Sequence, residues 1–217
     1  MVRIKFCGIT SLADAHAAID AGADMLGFNF FRPSPRFIEP NDAREIIARL
    51  RTELGAGVRT LTMVGVFVNQ PSPESLVRVG EEIGIDAAQL HGDESVEFCR
   101  RVKQLRPQLS VIKVLRAGDG FEPDEAANYE VDAIMLDSFH SELRGGTGRV
   151  SDWTVGRHTR EVVAQLFLAG GLSPENVAKA IAEVRPDAVD ACSSIESSPG
   201  RKDAELMKAF VSAVRTS

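Results

Sequence analysis

The chain has 217 residues, 44% hydrophobic and 26% charged, with a net charge of −6 at pH 7, a balance ordinary for a soluble globular enzyme. The acidic charge and the lack of a Lys/Arg run argue against nucleic acid as the main partner, and the longest apolar stretches, such as 63–68, are far too short to span a bilayer. Cys7, Cys99 and Cys192 are far apart and lack C-x-x-C spacing, so they read as reduced thiols of a cytoplasmic protein that is large enough to fold without a disulfide or metal staple.

M-V-R-I-K-F runs straight into a strand-like segment, with no signal-peptide pattern. Short β-branched runs then alternate with helical patterns. Candidate strands are 3–6, 25–30, 61–68, 87–90, 110–114, 133–136, 163–168 and 188–191. Most are continuous hydrophobic runs, as expected of parallel strands covered on both faces. Ala43, Ile46, Ile47, Leu50 and Leu54 follow helical spacing, as do Val96, Cys99, Val102 and Leu105, and later Leu206, Met207, Phe210, Val211 and Val214. Ser72-Pro73-Glu74 and Ser173-Pro174-Glu175 mark helix starts, a serine capping and a proline in the first turn. Gly22 and Gly84 stand where helices should end. The glycine-rich polar segment 138–152 fits the alternation least well. Eight β/α units without a linker predict a single domain over 1–217, an α/β (β/α)8 TIM barrel with eight parallel strands. An open doubly wound sheet is the competitor, and strand count alone does not separate them.

In such a barrel the chemistry gathers at the C-terminal ends of the strands. Cys7 closes V-R-I-K-F-C-G-I-T, and Asp137 closes V-D-A-I-M-L-D-S. A thiolate and a carboxylic acid at one rim can take one proton while delivering another. Buried cysteines are usually small core hydrophobes, but Cys7 ends its run before a Gly8-Ile9-Thr10 turn, where exposed backbone N–H groups can lower a thiol pKa. Cys99, on the apolar stripe of a helix, reads as packing. Asp137 fits a turn cap with Ser138 as well as it fits a catalytic acid.

Gly170-Gly171 and the Cys192-Ser193-Ser194 turn follow the last two strands. Backbone N–H groups from such turns form an anion cradle that needs no basic side chain. Tight turns alone are the plainer account, but two such loops on consecutive final strands favour phosphate. In F-F-R-P-S-P-R-F-I-E-P, Arg36 is placed to clamp a carboxylate, whereas Arg32 reads as a solvated surface charge. His91 points to the same rim and either touches substrate or bonds a neighbouring loop. His16, His140 and His158 show no ligand spacing, so no metal is expected. Gly145–Gly148 suits a phosphate loop or a lid.

Together these stretches resemble the phosphoribosylanthranilate isomerase family. The matching pieces are K-F-C-G-I-T (5–10), G-A-D-M-L-G-F-N-F (22–30), S-P-R-F-I (34–38), V-G-V-F-V-N (64–69) and Q-L-H-G-D-E (89–94). They continue with L-D-S (136–138), G-G-T-G (145–148), A-G-G-L-S-P-E-N-V (169–177) and E-S-S-P-G-R-K-D (196–203). The pieces run in the family's order along the whole chain. The resemblance implies an Amadori rearrangement of N-(5-phosphoribosyl)anthranilate in tryptophan synthesis, with Cys7 as general base at the sugar C2 and Asp137 as general acid at the ring oxygen. It implies that Arg36 holds the anthranilate carboxylate, that Gly171 and the Cys192–Ser194 turn hold the phosphate, and that Asp190 is a strand-eight acid at the site. It implies a phosphorylated small-molecule substrate, no cofactor, no nucleic-acid or membrane partner, and a monomer or homodimer.

Two departures stand out. The family's D-V-S-S-G-V-E reads D-A-C-S-S-I-E here, placing Cys192 and Ser194 where a serine and a glycine are usual; if Ser194 needs positive φ, the loop must strain or shift. Pro33 replaces a usual lysine, so weaker phosphate affinity is the most that is expected. The rivals are another sugar-phosphate barrel, such as an aminosugar isomerase or a pentose-phosphate epimerase, and a non-catalytic phosphate-binding subunit. A metal-dependent epimerase would want a His/Asp set that is missing here, and a scaffold would have no use for Cys7 and Asp137.

Overall fold

The computed structural model describes residues 1–55, 61–118, 120–137 and 153–217. Eight parallel strands close into a barrel in chain order: β1 (Arg3–Cys7), β2 (Met25–Asn29), β3 (Thr62–Phe67), β4 (Ala87–Leu90), β5 (Ser110–Arg116), β6 (Ala133–Asp137), β7 (Leu166–Ala169) and β8 (Ala188–Ala191). The last strand returns to the first, with Lys5 opposite Asp190 and Phe6 opposite Ala191. That pairing decides against the open sheet, which would leave two strands with unpaired edges.

Around the barrel lie α1 (Leu12–Ala21), α2 (Pro40–Leu54), α3 (Pro73–Ile83), α4 (Val96–Leu105), α5 (Trp153–Val162), α6 (Val177–Val184) and α7 (Ala204–Arg215). Side chains alternate across each strand. Ile4, Phe6, Leu26, Phe28, Leu136 and Val189 face outward and pack in the layer under the helices. Met25, Val64, Ala87, Ile112, Met135 and Phe167 face inward and fill the barrel. Phe6 of β1 meets Phe210 of α7 edge-on at 5.9 Å, a geometry worth about 0.5–1.5 kcal/mol beyond the area it buries.

Several local signals act as their chemistry predicts. Ser72 caps α3 and Pro73 opens it, while Gly22 and Gly84 end α1 and α3 with φ of 111° and 84°. Others are overridden. The seventh strand starts at Leu166 rather than 163, because the Asp187 carboxylate accepts the Leu166 N–H and the Asp187 N–H donates to the Leu166 carbonyl. α6 starts at Val177, after the Ser173-Pro174-Glu175 stretch. There the Asn176 amide accepts the Ser173 N–H and donates to the Gly171 carbonyl, which holds a turn ahead of the helix. Between β5 and β6 a short 3-10 helix, Pro123–Asn128, takes the place of an α-helix. After β8 the chain makes a 3-10 turn, Ser193–Ile195, and then a hairpin of β9 (Glu196–Ser198) and β10 (Arg201–Lys202). The segment 138–152, with Ser138, His140 and Gly145–Gly148, lies outside the described residues.

Candidate active site at the C-terminal mouth of the barrel

Cys7 ends β1 and Asp137 ends β6, both in the inward register of their strands. Asp190 of β8 lies within electrostatic reach of both. The thiol and the carboxyl therefore share one mouth, on strands separated by β7 and β8.

The surroundings of Cys7 come from four segments of the chain. Lys5, two residues earlier and fully buried, ion-pairs with Asp190 at 2.7 Å. Its ammonium also supports the Cys7 sulfur. Gly27, opposite Cys7 on β2, supplies the room. A Cβ there would stand 2.9 Å from Cys7 Sγ and 3.1 Å from both the Cys7 Cα and Lys5 Nζ. Cys192, after β8, offers its thiol to the Cys7 sulfur, and the buried Lys202 adds a second positive charge.

The Cys7 thiol is held well below its ordinary pKa, first by the Cys192 hydrogen bond and then, against burial, by Lys5 and Lys202. Cys192 is driven upward by the same hydrogen bond and by burial. Burial pulls the Lys5 ammonium down, but Asp190 and Cys7 outweigh it and its pKa rises. Burial pushes Asp190 up to about 6, with Lys5 acting against it. Exposed N–H groups of the Gly8-Ile9-Thr10 turn are the source of activation that the sequence leads one to expect. The Gly8 and Ile9 N–H groups donate to the Gly27 carbonyl instead, and the groups that lower the thiol's pKa are all side chains.

Around the mouth, His91 Nε2 lies 3.2 Å from Asp137 Oδ2 and His91 Nδ1 lies 3.1 Å from Gln89 Nε2. His91 thus bonds the rim carboxylate rather than a neighbouring loop. The Gln89 carbonyl oxygen is buried without a partner among the described residues. A cavity of about 300 Å³ opens beside His91, with Lys113, Arg116 and Tyr129 in its wall. A larger space of about 430 Å³ lies at the opposite end, against Met1, Arg3 and Asp187, away from the cysteine and the rim carboxylate.

Arg36 reaches the mouth but is already engaged. Its Nε and Nη2 form a fork on Glu196, at 2.9 and 2.7 Å. Glu196 also accepts from Lys202 Nζ at 2.7 Å. The other guanidinium nitrogen, Nη1, makes no hydrogen bond among the described residues. Arg32 is exposed and pairs with Glu39, as a solvated surface charge should.

Gly170 and Gly171 follow β7 with φ of 88° and 68°, two successive left-handed residues that only glycine adopts cheaply. A Cβ on Gly171 would meet nothing within 4 Å, so open space lies beside the turn. The Ser194 hydroxyl donates to the Leu172 carbonyl, which ties this loop to the one after β8. Ser194 itself is not among the residues with positive φ, so the change from glycine costs no backbone strain. Lys202 Nζ donates to the Cys192 carbonyl at 3.1 Å beneath the same turn.

Lys5, Gly27, Glu196 and Lys202 were not singled out from the sequence. A glycine in mid-strand signals close approach, and it was the one available hint. The sequence model of the N-(5'-phosphoribosyl)anthranilate (PRA) isomerase family matches residues 4–213. The chain belongs to that family. An N-(5'-phosphoribosyl)anthranilate isomerase from Rubrobacter xylanophilus is 46% identical over 217 residues, all of both chains. The crystal structure of phosphoribosyl anthranilate isomerase from Thermotoga maritima is 40% identical over the full length of both, with a TM-score of 0.86. A further solved isomerase, 38% identical over both full lengths with a TM-score of 0.84, is a complex with reduced 1-(o-carboxyphenylamino)-1-deoxyribulose 5-phosphate. The PRA isomerase family thus accounts for the barrel and for the whole described chain.

Proposed function

We propose that this isomerase converts N-(5'-phosphoribosyl)anthranilate to 1-(2-carboxyphenylamino)-1-deoxyribulose 5-phosphate, an Amadori step in tryptophan biosynthesis, with Cys7 as general base and Asp137 as general acid. The observation that carries this reading is the shared mouth. A thiol with a lowered pKa and a carboxyl on a distant strand both end their strands at the same mouth, with Asp190 within electrostatic reach of each, in a member of the family. The ligand of the solved relative is a reduced form of the proposed product.

Asp137 gives its proton to the furanose ring oxygen, the C1–O bond breaks, and the anilino nitrogen forms an iminium with C1. The Cys7 thiolate then takes the C2 proton, and the electrons of that C–H bond move toward nitrogen to give an enolamine. Its tautomerisation leaves a ketone at C2. The two roles need opposite protonation states at one pH, which the cations around Cys7 favour. His91 holds the carboxyl of Asp137 in place.

The phosphate binds at Gly170, Gly171 and the Cys192-Ser193-Ser194 turn, where backbone N–H groups and open space meet. The free Nη1 of Arg36 meets the anthranilate carboxylate, with Glu196 holding the guanidinium plane. Asp190 fixes Lys5 and borders the sugar. The substrate is thus a phosphorylated small molecule and the working unit a monomer or homodimer in the cytoplasm.

Substrate fluorescence tests the reading. Anthranilate emission falls when the enzyme meets N-(5'-phosphoribosyl)anthranilate, and no change refutes the activity. Cys7→Ala and Asp137→Ala should each slow turnover by about 10²-fold or more. Near-normal turnover in either variant refutes the mechanism.

A further inference from the structure

Cys192 stands where the resemblance leads one to expect a serine, and it places a second sulfur beside Cys7. Both cysteines are free thiols. β1 and β8 pair in parallel with Phe6 opposite Ala191, so Cys7 and Cys192 each follow a matched residue. Neighbouring strands lie about 4.8 Å apart, within the Cα separation that a disulfide accepts. Each thiol is the foremost influence on the other's electrostatics. Lys202 Nζ stands 3.9 Å from Cys192 Sγ, and Lys5 supports the Cys7 sulfur from the other side. A cation thus flanks each thiol, a setting that favours thiolate chemistry.

We propose that Cys7 and Cys192 form a peroxide-driven, reversible disulfide that closes the active site. The attacking thiolate is Cys7. Its sulfur displaces hydroxide from a hydroperoxide, here hydrogen peroxide; the O–O bond breaks, and the hydroxide takes a proton and leaves as water. Cys7 is now a sulfenic acid. The Cys192 sulfur attacks it, the S–O bond breaks, and the sulfenic hydroxyl leaves with the Cys192 proton as a second water. Two thiols lose two electrons and two protons in all, and one peroxide becomes two waters. A resolving thiol at this distance captures the sulfenic acid before further oxidation. Reduction by a small dithiol reverses the step by exchange.

Cys99 is a built-in control. It is fully buried in α4, and burial pushes its thiol up to about 11, so it stays reduced under the same treatment. Loss of activity on bridging rests on the reading of Cys7 as the base, whereas formation of the bridge does not.

Purified protein is treated with hydrogen peroxide at neutral pH, quenched with an alkylating agent and mapped by mass spectrometry. The expected result is a linked peptide joining Cys7 and Cys192, free thiols falling from three to one, and activity lost in proportion to the bridged fraction. Dithiothreitol should restore both thiols and activity. Cys192→Ser should give no linked peptide, with Cys7 advancing to sulfinic acid that dithiothreitol does not rescue. Cys99→Ser should still bridge. Three thiols persisting, Cys7 oxidised while Cys192 stays free, or a bridge that instead includes Cys99 overturns the proposal. A Cys7–Cys192 bridge with activity unchanged upholds it, and refutes the assignment of Cys7 as base.

Discussion

At the scale of single residues, the mouth is set by a few close approaches. Gly27 is the tightest: a methyl group there would press on the reactive sulfur, the buried ammonium and the Cys7 backbone together. The backbone contact means that rotating a side chain gives no relief. Gly27→Ala should destabilise the protein by about 1–3 kcal/mol and lower kcat, as read by urea unfolding and steady-state kinetics. Asp190 offers a pH signature. Its pKa is about 6 in the fold against an ordinary value of 3.8, so between these limits the folded state binds more protons than the unfolded state. Its contribution to stability is therefore present in full below pH 4 and is lost as the pH rises through about 6. Urea unfolding of wild type and Asp190→Asn across pH 4–7 should show this slope in the difference between them, and parallel curves refute it.

At the scale of elements, the hairpin β9–β10 is the least expected part of the site. Nothing in the spacing of E-S-S-P-G-R-K-D shows that Glu196 will reach Arg36, 160 positions away in sequence. The carboxylate is nearly inaccessible and lies between two cations, one of them buried. Burial pushes its pKa up, but Arg36 and Lys202 outweigh that, and it stays below the usual carboxylate range. Glu196→Gln leaves Lys202 unpaired, which should cost about 3–5 kcal/mol. It also frees the Arg36 plane to swing, so KM should rise more than kcat falls. Urea unfolding and kinetics on the same preparation check both parts.

The legibility of the chain follows the range of the forces involved. Strands and most helix ends were readable, because hydrophobic runs and capping residues act within a few positions of themselves. β7 and α6 slipped by three residues or more, because Asp187 and Asn176 impose local hydrogen bonds that periodicity does not record. The placement of Cys7 and Asp137 at strand ends was legible because each closes a hydrophobic run. Lys5, Glu196 and Lys202 were missed because a charged side chain looks alike in sequence whether it ends in solvent or in a buried pair. The activation of Cys7 was illegible for the same reason: it comes from the buried Lys5 of β1 and from Cys192 and Lys202 beyond β8.

At the scale of the whole molecule, ring closure joins the two ends of the chain. α7 covers β1, Phe210 packs on Phe6, and Arg215 donates to the Val2 carbonyl. Phe210→Ala should cost about 3–5 kcal/mol while leaving kcat near wild type well below the melting temperature. Calorimetry and low-temperature kinetics would show the two effects apart. A kcat that falls with stability at low temperature would mean that the cover also tunes the mouth.

The seam between β1 and β8 also makes the thiol a gauge of the fold. Cys192 and Lys202 come to the sulfur of Cys7 only across that pairing. A chain whose ring has not shut keeps Lys5 beside the sulfur but lacks the other two, so the thiol stays quiet until β8 docks on β1.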